Sequence, residues 1–355
     1  MDTATDEYHM SQAVSAAAAV RRSVSPRPWV GAVVVPDTSI TRPNSDVSIF
    51  AGATQGRLGA HAEIAALGSA GKYARGSTLY TTLEPCSHDG QTGPCADAII
   101  DAEVARVVIG VQDPDPLVSG RGIERLRSSG VEVTVGVGAA AVEQQLLPYL
   151  IHRRTGRPMV IVKLAASLDG RSAAPDGTSQ WITGPQARLD VHRLRADSDA
   201  ILVGARTVQD DDPSLTVRLD VGELPLDFVQ PRRIVLGRSA ATAKVQPALE
   251  VSGPLPAILD SLGEQGVLQL LVEGGASVAH DFHQEGLVDR YVIYFAPALF
   301  GGSDGRGLFD GAGSASIDDL WRGQITSVNM FGADLRIDLV PNLRDSYTDV
   351  RSQGG

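Results

Sequence analysis

The chain contains two cysteines, Cys86 and Cys95, with eight residues between them. Each follows a proline, in Glu84-Pro85-Cys86 and in Pro94-Cys95, and upstream stands His61-Ala62-Glu63. Imidazole and thiolate suit a borderline-soft Zn²⁺, and a catalytic zinc keeps three protein ligands and an open fourth position. His61, Cys86 and Cys95 supply such a set. Glu63 follows the imidazole too closely to ligate the same ion with ease. It is placed to take a proton from a zinc-activated water and pass it to a leaving amine. Zinc lowers the pKa of such a water to about 7, so hydroxide is available at neutral pH. Nucleobase deaminases use this arrangement, usually as H-x-E with P-C-x-x-C. Singly, each piece has a bland reading. A lone cysteine is usually a small buried hydrophobe, and a structural zinc would need a fourth protein ligand, for which His88 is nearest. The combination uses every thiol in the chain. The positive end of a helix opening at Ala96 would favour thiolate at Cys95.

Elements must hold these residues in place. Strand-like runs cover Trp29 to Val35, Thr78 to Leu83, Val104 to Val111 and Val131 to Val135. Helical patterns lie between them at Ala62 to Ala70, Ala96 to Ala102 and Gly122 to Ser128, and an alanine-rich helix covers Ser11 to Val20. This alternation predicts a mostly parallel sheet covered by helices. A basic segment, Leu150 to Pro158, reads as a linker. The alternation then resumes, with strands at Met159 to Leu164, Ala200 to Val203, Arg233 to Leu236, Leu268 to Val272 and Arg290 to Phe295. Its helices are Pro185 to Arg195, Leu255 to Leu262 and Ser277 to Gln284.

Composition narrows the class. A chain of 355 residues suggests two domains. An apolar fraction of 43% is too high for a disordered chain. The net charge of −11 and the 5% aromatic content argue against nucleic acid, which asks for basic grooves and stacking platforms. The acidic N-terminus does not read as a secretory leader, and no apolar run is long enough to span a bilayer. A close thiol pair in a long chain fits a reducing cytoplasm and no membrane.

The stretch TLEPCSHDGQTGPC, residues 82–95, resembles T-L-E-P-C-x-H-x-G-[KR]-T-P-P-C of the bifunctional riboflavin-biosynthesis deaminase/reductase family. Asp113 to Gly122 (DPDPLVSGRG) is similar to D-P-N-P-x-V-x-G-x-G, and Lys163 to Gly170 (KLAASLDG) to K-x-A-x-S-L-D-G. Ser179 to Thr183 (SQWIT), Asp211 to Arg218 (DDPSLTVR) and Glu273-Gly274-Gly275 follow in the family's order. The resemblance implies a cytidine-deaminase-like three-layer α/β domain followed by a dihydrofolate-reductase-like α/β domain. It implies a zinc-dependent deaminase domain over 1–147, a linker over 148–158, an NADPH-dependent reductase domain over 159–341 and a flexible tail over 342–355. It implies hydrolysis of the exocyclic amine of a phosphoribosylamino diaminopyrimidinone, then reduction of its ribose to ribitol by NADPH. Ala165, Trp181, Thr207, Asp211 and the run from Gly275, Ala276 and Ser277 to Asp281 would contact NADPH. Ser179, Arg195, Leu215, Arg218 and Glu273 would contact the substrate, and Lys163 is kept as a catalytic or substrate contact.

Physical chemistry supports parts of this picture. Glycines at a strand-to-helix turn let a phosphate approach, and a helix N-terminus favours anions. Guanidinium grips phosphate in a bidentate way, which suits Arg195 and Arg218. No G-x-G-x-x-G follows an early strand, so a Rossmann cofactor site is not supported. Departures fall mainly in the first half. Arg27 replaces an Asn in Pro26 to Gly31, no His stands in Gly52 to Gly59, and Gln91 and Gly93 replace a basic residue and a proline. Arg27 or Arg57 then supplies the positive charge lost at Gln91. The second half looks compact between Arg218 and Gly266, by one strand–helix unit. The partner expected is a phosphorylated pyrimidine, with a homo-oligomer left open. The competing reading is a zinc deaminase of another pyrimidine or nucleotide with a vestigial reductase domain. A nucleic-acid-editing deaminase and a non-enzymatic zinc protein are weaker alternatives.

Overall fold

The computed structural model describes residues 3–37, 49–56, 58–87, 93–116, 118–220 and 222–342. They form two compact units, one up to Gly156 and one from Arg157 onward apart from residues 225–228, which group with the first. His88, Gln91, Arg57 and the C-terminal stretch 343–355, which includes nearly all of the expected tail, lie outside the described residues.

The first unit runs α1 (Thr3–Val24), β1 (Gly31–Val35), β2 (Phe50–Ala53), α2 (Ala62–Ala70), a 3₁₀ turn (Gly71–Ala74), β3 (Thr78–Leu83), α3 (Cys95–Asp101), β4 (Arg106–Val111), α4 (Arg121–Ser128), β5 (Glu132–Val135) and α5 (Ala139–Thr155). The sheet order is β2-β1-β3-β4-β5. The joins among β2, β1 and β3 are antiparallel and those among β3, β4 and β5 parallel, so this sheet is mixed rather than mostly parallel. All of β3 is buried, as a strand covered on both faces must be. The alanine content of α1 has a steric cause. A Cβ on Gly31 would lie 1.9 Å from the Ala13 carbonyl oxygen, so the helix backbone rests directly on β1 beside buried Ala13 and Ala17.

Two features of this unit differ from the sequence reading. Helix α1 begins well before Ser11, because Asp6 in its first turns is buried. Its carboxylate accepts two bonds from the Arg106 guanidinium and one from Tyr80, each at 2.8 Å. Residues 148–155, read as linker, are the end of α5 instead. Pro148 lies inside that helix, yet Leu146, Tyr149, Leu150 and Ile151 bury its apolar face, which outweighs the lost N–H. Gly156, with φ 75°, ends the helix, which leaves Gly156 to Pro158 as the connection.

The second unit runs β6 (Met159–Ser167), β7 (Arg171–Ala173), α6 (Pro185–Ala196), β8 (Ala200–Gly204), α7 (Ala205–Asp211), β9 (Arg232–Leu236), β10 (Leu249–Val251), α8 (Leu255–Glu264), β11 (Gln269–Val272), α9 (Ala276–Gln284), β12 (Arg290–Ala296), β13 (Arg306–Gly307), β14 (Gly323–Phe331) and β15 (Asp334–Pro341). Its large sheet is ordered β10-β9-β8-β11-β6-β12-β15-β14, while β7 and β13 pair apart from it. The strands from β10 to β12 are parallel, and β15 and β14 add antiparallel. Leu255, Ile258, Leu259 and Leu262 form the apolar stripe of α8, packed with Val160, Val162, Leu202 and Leu270. The order of connections reverses around β6, where open α/β sheets place ligands beyond the carboxyl ends of the strands. Among the described residues no helix is long and apolar enough to cross a membrane.

Candidate active sites

In the first unit the three expected ligands meet. His61 is the extended residue at the start of α2, Glu63 lies in that helix's first turn, Cys95 opens α3, and Cys86 sits on the loop after β3. His61 Nδ1 is 3.1 Å from Cys95 Sγ and 3.5 Å from Cys86 Sγ, and all three donor atoms lie within 4.8 Å of one another. Ligands at zinc distances around a tetrahedral centre sit roughly 3.5–3.8 Å apart, so one sulfur–sulfur–nitrogen set closing on one ion fits this geometry. Glu63 is buried, and its Oε2 is 3.6 Å from Cys95 Sγ. Burial pushes its carboxyl up to about 7.

The thiol made more acidic is Cys86, where the helix argument pointed to Cys95. Hydrogen bonding with the Cys95 thiol, with smaller help from the His61 ring and the Cys95 N–H, brings Cys86 down to about 4. The first N–H of α3 donates to Cys86 Sγ at 3.4 Å, so the helix end favours charge on the neighbour. The same pairing, together with burial, pushes Cys95 upward. Arg27 lies beside this site. Its Nη1 donates to the Gly56 and Gly59 carbonyls at 3.2 and 3.0 Å and so steadies the loop that leads into His61.

The second unit has a cleft of about 590 Å³ beyond the ends of β6 and β11. That is within the range of small-molecule sites. Its walls include Lys163, Ala165, Ser179, Trp181, Arg195, Thr207, Asp211, Leu215, Arg218, Glu273, Gly275 and Ala276. Ser277 is not among them; its hydroxyl faces Asp310 Oδ2 at 3.3 Å. Leu215 is buried with φ 52°, a strained conformation for a branched side chain of the kind that gathers at binding sites. Ser179 Oγ donates to Asp211 Oδ1 at 3.1 Å, which ties an expected substrate contact to an expected cofactor contact. Trp181 is 69% exposed at the mouth, with the Arg188 guanidinium 4.7 Å over its ring.

Arg195 differs from expectation. It binds Glu273 in a bidentate pair at 2.5 and 2.9 Å and donates to the Thr216 carbonyl, so its charge is already met by a carboxylate. Burial pushes the Glu273 carboxyl up, but the Arg195 charge and hydrogen bonds, with the Lys163 and His192 charges, together hold the group below its ordinary range. Burial lowers Lys163. Arg218 reaches only hydroxyls through its side chain among the described residues, Ser214 at 2.9 Å and Thr216 at 3.4 Å, and is one of the cleft's guanidinium groups that have no carboxylate partner and can meet an anion. Sequence reasoning missed Arg188, His192, Lys244 and Arg306, which also line the cleft. A signal existed for two of them: 188, 192 and 195 fall on one face of α6 at helical spacing. His192 Nδ1 accepts the Arg218 N–H at 3.2 Å, and burial, reinforced by the Arg195 and Arg218 charges, lowers it to about 4.

A buried carboxyl beside a His-Cys-Cys cluster, and a cleft at the strand ends of a second α/β unit, define a zinc deaminase joined to a reductase. Residues 3–111 match the cytidine and deoxycytidylate deaminase zinc-binding region, and residues 158–337 match the RibD C-terminal domain. The chain is 39% identical over 372 residues to the riboflavin biosynthesis protein RibD of Escherichia coli, covering 94% of this chain and 99% of that one. It is 37% identical over 374 residues to that of Bacillus amyloliquefaciens, covering 97% and 99%. The solved structure of Acinetobacter baumannii RibD, form 1, matches with a TM-score of 0.89 at 35% identity, over 96% of this chain and 100% of that one. A Thermotoga maritima diaminohydroxyphosphoribosylaminopyrimidine deaminase/5-amino-6-(5-phosphoribosylamino)uracil reductase matches with a TM-score of 0.84 at 31% identity, over 96% and 99%. The chain belongs to the RibD family of riboflavin biosynthesis proteins.

Proposed function

We propose that the chain performs two steps of riboflavin biosynthesis in turn. The first is hydrolytic deamination of 2,5-diamino-6-(5-phosphoribosylamino)pyrimidin-4-one. The second is NADPH-dependent reduction of the ribosyl group to ribityl. The observation that carries the first is the buried Glu63 carboxyl set beside three donor atoms that lie within 4.8 Å of one another. Zinc, when bound by His61, Cys86 and Cys95, acidifies water and so supplies the nucleophile. Glu63 accepts a proton from the attacking water and delivers it to the departing amine, a task for which its buried place beside the ligand cluster suits it. Arg27 supplies positive charge to the phosphorylated substrate at this site.

NADPH, when bound, supplies the hydride of the second step. Ala165, Trp181, Thr207, Asp211, Gly275 and Ala276 are assigned to it, since they line the cleft. Ser179, Leu215, Arg218, Lys163 and the Arg195–Glu273 pair are assigned to the substrate, with Arg218 on the phosphate. Deamination belongs to the first unit and reduction to the second. A cytoplasmic location is part of this reading. The test supplies the phosphoribosylamino diaminopyrimidinone with and without NADPH and follows ammonia and NADPH absorbance separately. Ammonia in both arms and NADPH loss in one is the expected result. Ammonia without NADPH loss would leave only the deaminase.

A further inference from the structure

The run Asp113 to Gly122 and the residue before Pro85 take no part in the chemistry above, yet they meet. The buried Glu84 carboxylate accepts four backbone N–H groups. Oε1 takes those of Gly122 at 3.0 Å and Ile123 at 3.3 Å, and Oε2 those of Gly120 at 3.0 Å and Asp113 at 3.3 Å. The Gly122 and Ile123 N–H groups belong to the first turn of α4, where donors lack intrahelical partners and an anion is favoured. Glu84's own N–H donates to the Val111 carbonyl at 3.0 Å. Gly122 passes so near that a Cβ there would stand 1.9 Å from the Pro85 carbonyl oxygen. Glu84 is therefore held through side chain and amide by Val111, Asp113, Gly120, Gly122 and Ile123, and the Pro85 carbonyl abuts Gly122. Cys86 is the next residue. Its carbonyl accepts the Ala96 N–H at 3.1 Å, and its sulfur accepts the Cys95 N–H at 3.4 Å.

We propose that Glu84 is a positioning residue for the metal centre: it fastens the loop carrying Cys86 to residues 111–123 and so fixes that sulfur relative to His61 Nδ1 and Cys95 Sγ. Glu84 touches neither the sulfur nor the reacting atoms and acts through Pro85. A ligand held in place before the ion arrives loses less freedom on binding. A carboxylate is required because all four partners are donors. A glutamine would turn an NH₂ group against two of them and leave buried N–H groups unmet. The inference rests on the assignment of His61, Cys86 and Cys95 to zinc.

The test uses the full chain as wild type, Glu84→Gln and Gly122→Ala, each loaded with zinc or with cobalt(II). Zinc affinity is read by chelator competition, and the thiolate-to-cobalt absorption reports the placement of sulfur about the metal. Both variants are expected to lose zinc affinity by roughly ten- to a hundredfold and to show a displaced cobalt absorption, while NADPH-dependent reduction of supplied deaminated substrate on the same preparations is unchanged. Unchanged affinity and an unchanged cobalt spectrum in both variants overturn the proposal. If Glu84→Gln does not fold, Gly122→Ala decides alone, because it keeps the carboxylate but crowds the Pro85 carbonyl and, at 3.3 Å, Glu84 Oε1. A wild type that holds neither metal overturns the zinc assignment itself.

Discussion

Glu63 is buried and Glu273 half-buried, and their surroundings send the two carboxyls in opposite directions. Around Glu63 burial prevails and brings the group to about 7; around Glu273 the Arg195 guanidinium, with Lys163 and His192, prevails. The first is poised to exchange a proton, while the second stays charged and locked in place. Glu63→Gln is expected to lower the deamination rate by about 10²- to 10⁴-fold, the usual worth of a general acid–base. Zinc content and NADPH-dependent reduction of separately supplied deaminated substrate should not change, and ammonia release, metal analysis and NADPH absorbance check the three. Arg218→Ala is expected to raise the reductase KM by roughly ten- to a hundredfold, since a bond to a charged group is worth about 1.5–3 kcal/mol. The deaminase KM should be indifferent to Arg218 and should rise with Arg27→Ala. The zinc set was legible in the sequence because residue type alone restricts it. The role of Glu84 was not, because its partners are backbone groups 29 to 39 positions away. The pairing of Arg195 with Glu273 was hidden for a similar reason, since 78 residues separate them.

At the scale of elements, periodicity found the inner strands of both sheets and most helices but not the short β2, β7, β10, β13 and α7. It missed β14 and β15, whose polar residues alternate poorly, and α5, where Pro148 masked a buried apolar stripe. It also missed the first turns of α1, which an ion pair rather than apolar burial holds down. Close backbone packing predicts that Gly31→Ala will push α1 off β1 and destabilise the first unit by about 1–3 kcal/mol, measurable by denaturant unfolding. Asp289 ties the start of β12 to β6, its Oδ2 accepting the Val160 N–H at 2.7 Å. Burial pushes this carboxyl up to about 6. A group raised above its unfolded value favours the fold while protonated, so its contribution is full below pH 4 and falls away as the pH rises through 6. Asp289→Asn should therefore flatten the change in unfolding free energy between about pH 4 and 6.

For the molecule as a whole, the two chemistries draw on different kinds of residue. Chelation of zinc is expected to abolish ammonia release and leave NADPH-dependent reduction of the deaminated substrate intact, with activity restored by added zinc. The chain has two thiols, and both stand at the metal site. Mild oxidants act on thiolates that they can reach. Peroxide exposure should thus silence the hydrolytic half alone and let the deaminase substrate accumulate, while the second unit still reduces deaminated substrate that is supplied to it. A colorimetric thiol count on the unfolded chain before and after exposure would track that loss sulfur by sulfur. By this accident of composition, oxidative stress would meet the two-step enzyme at its entrance.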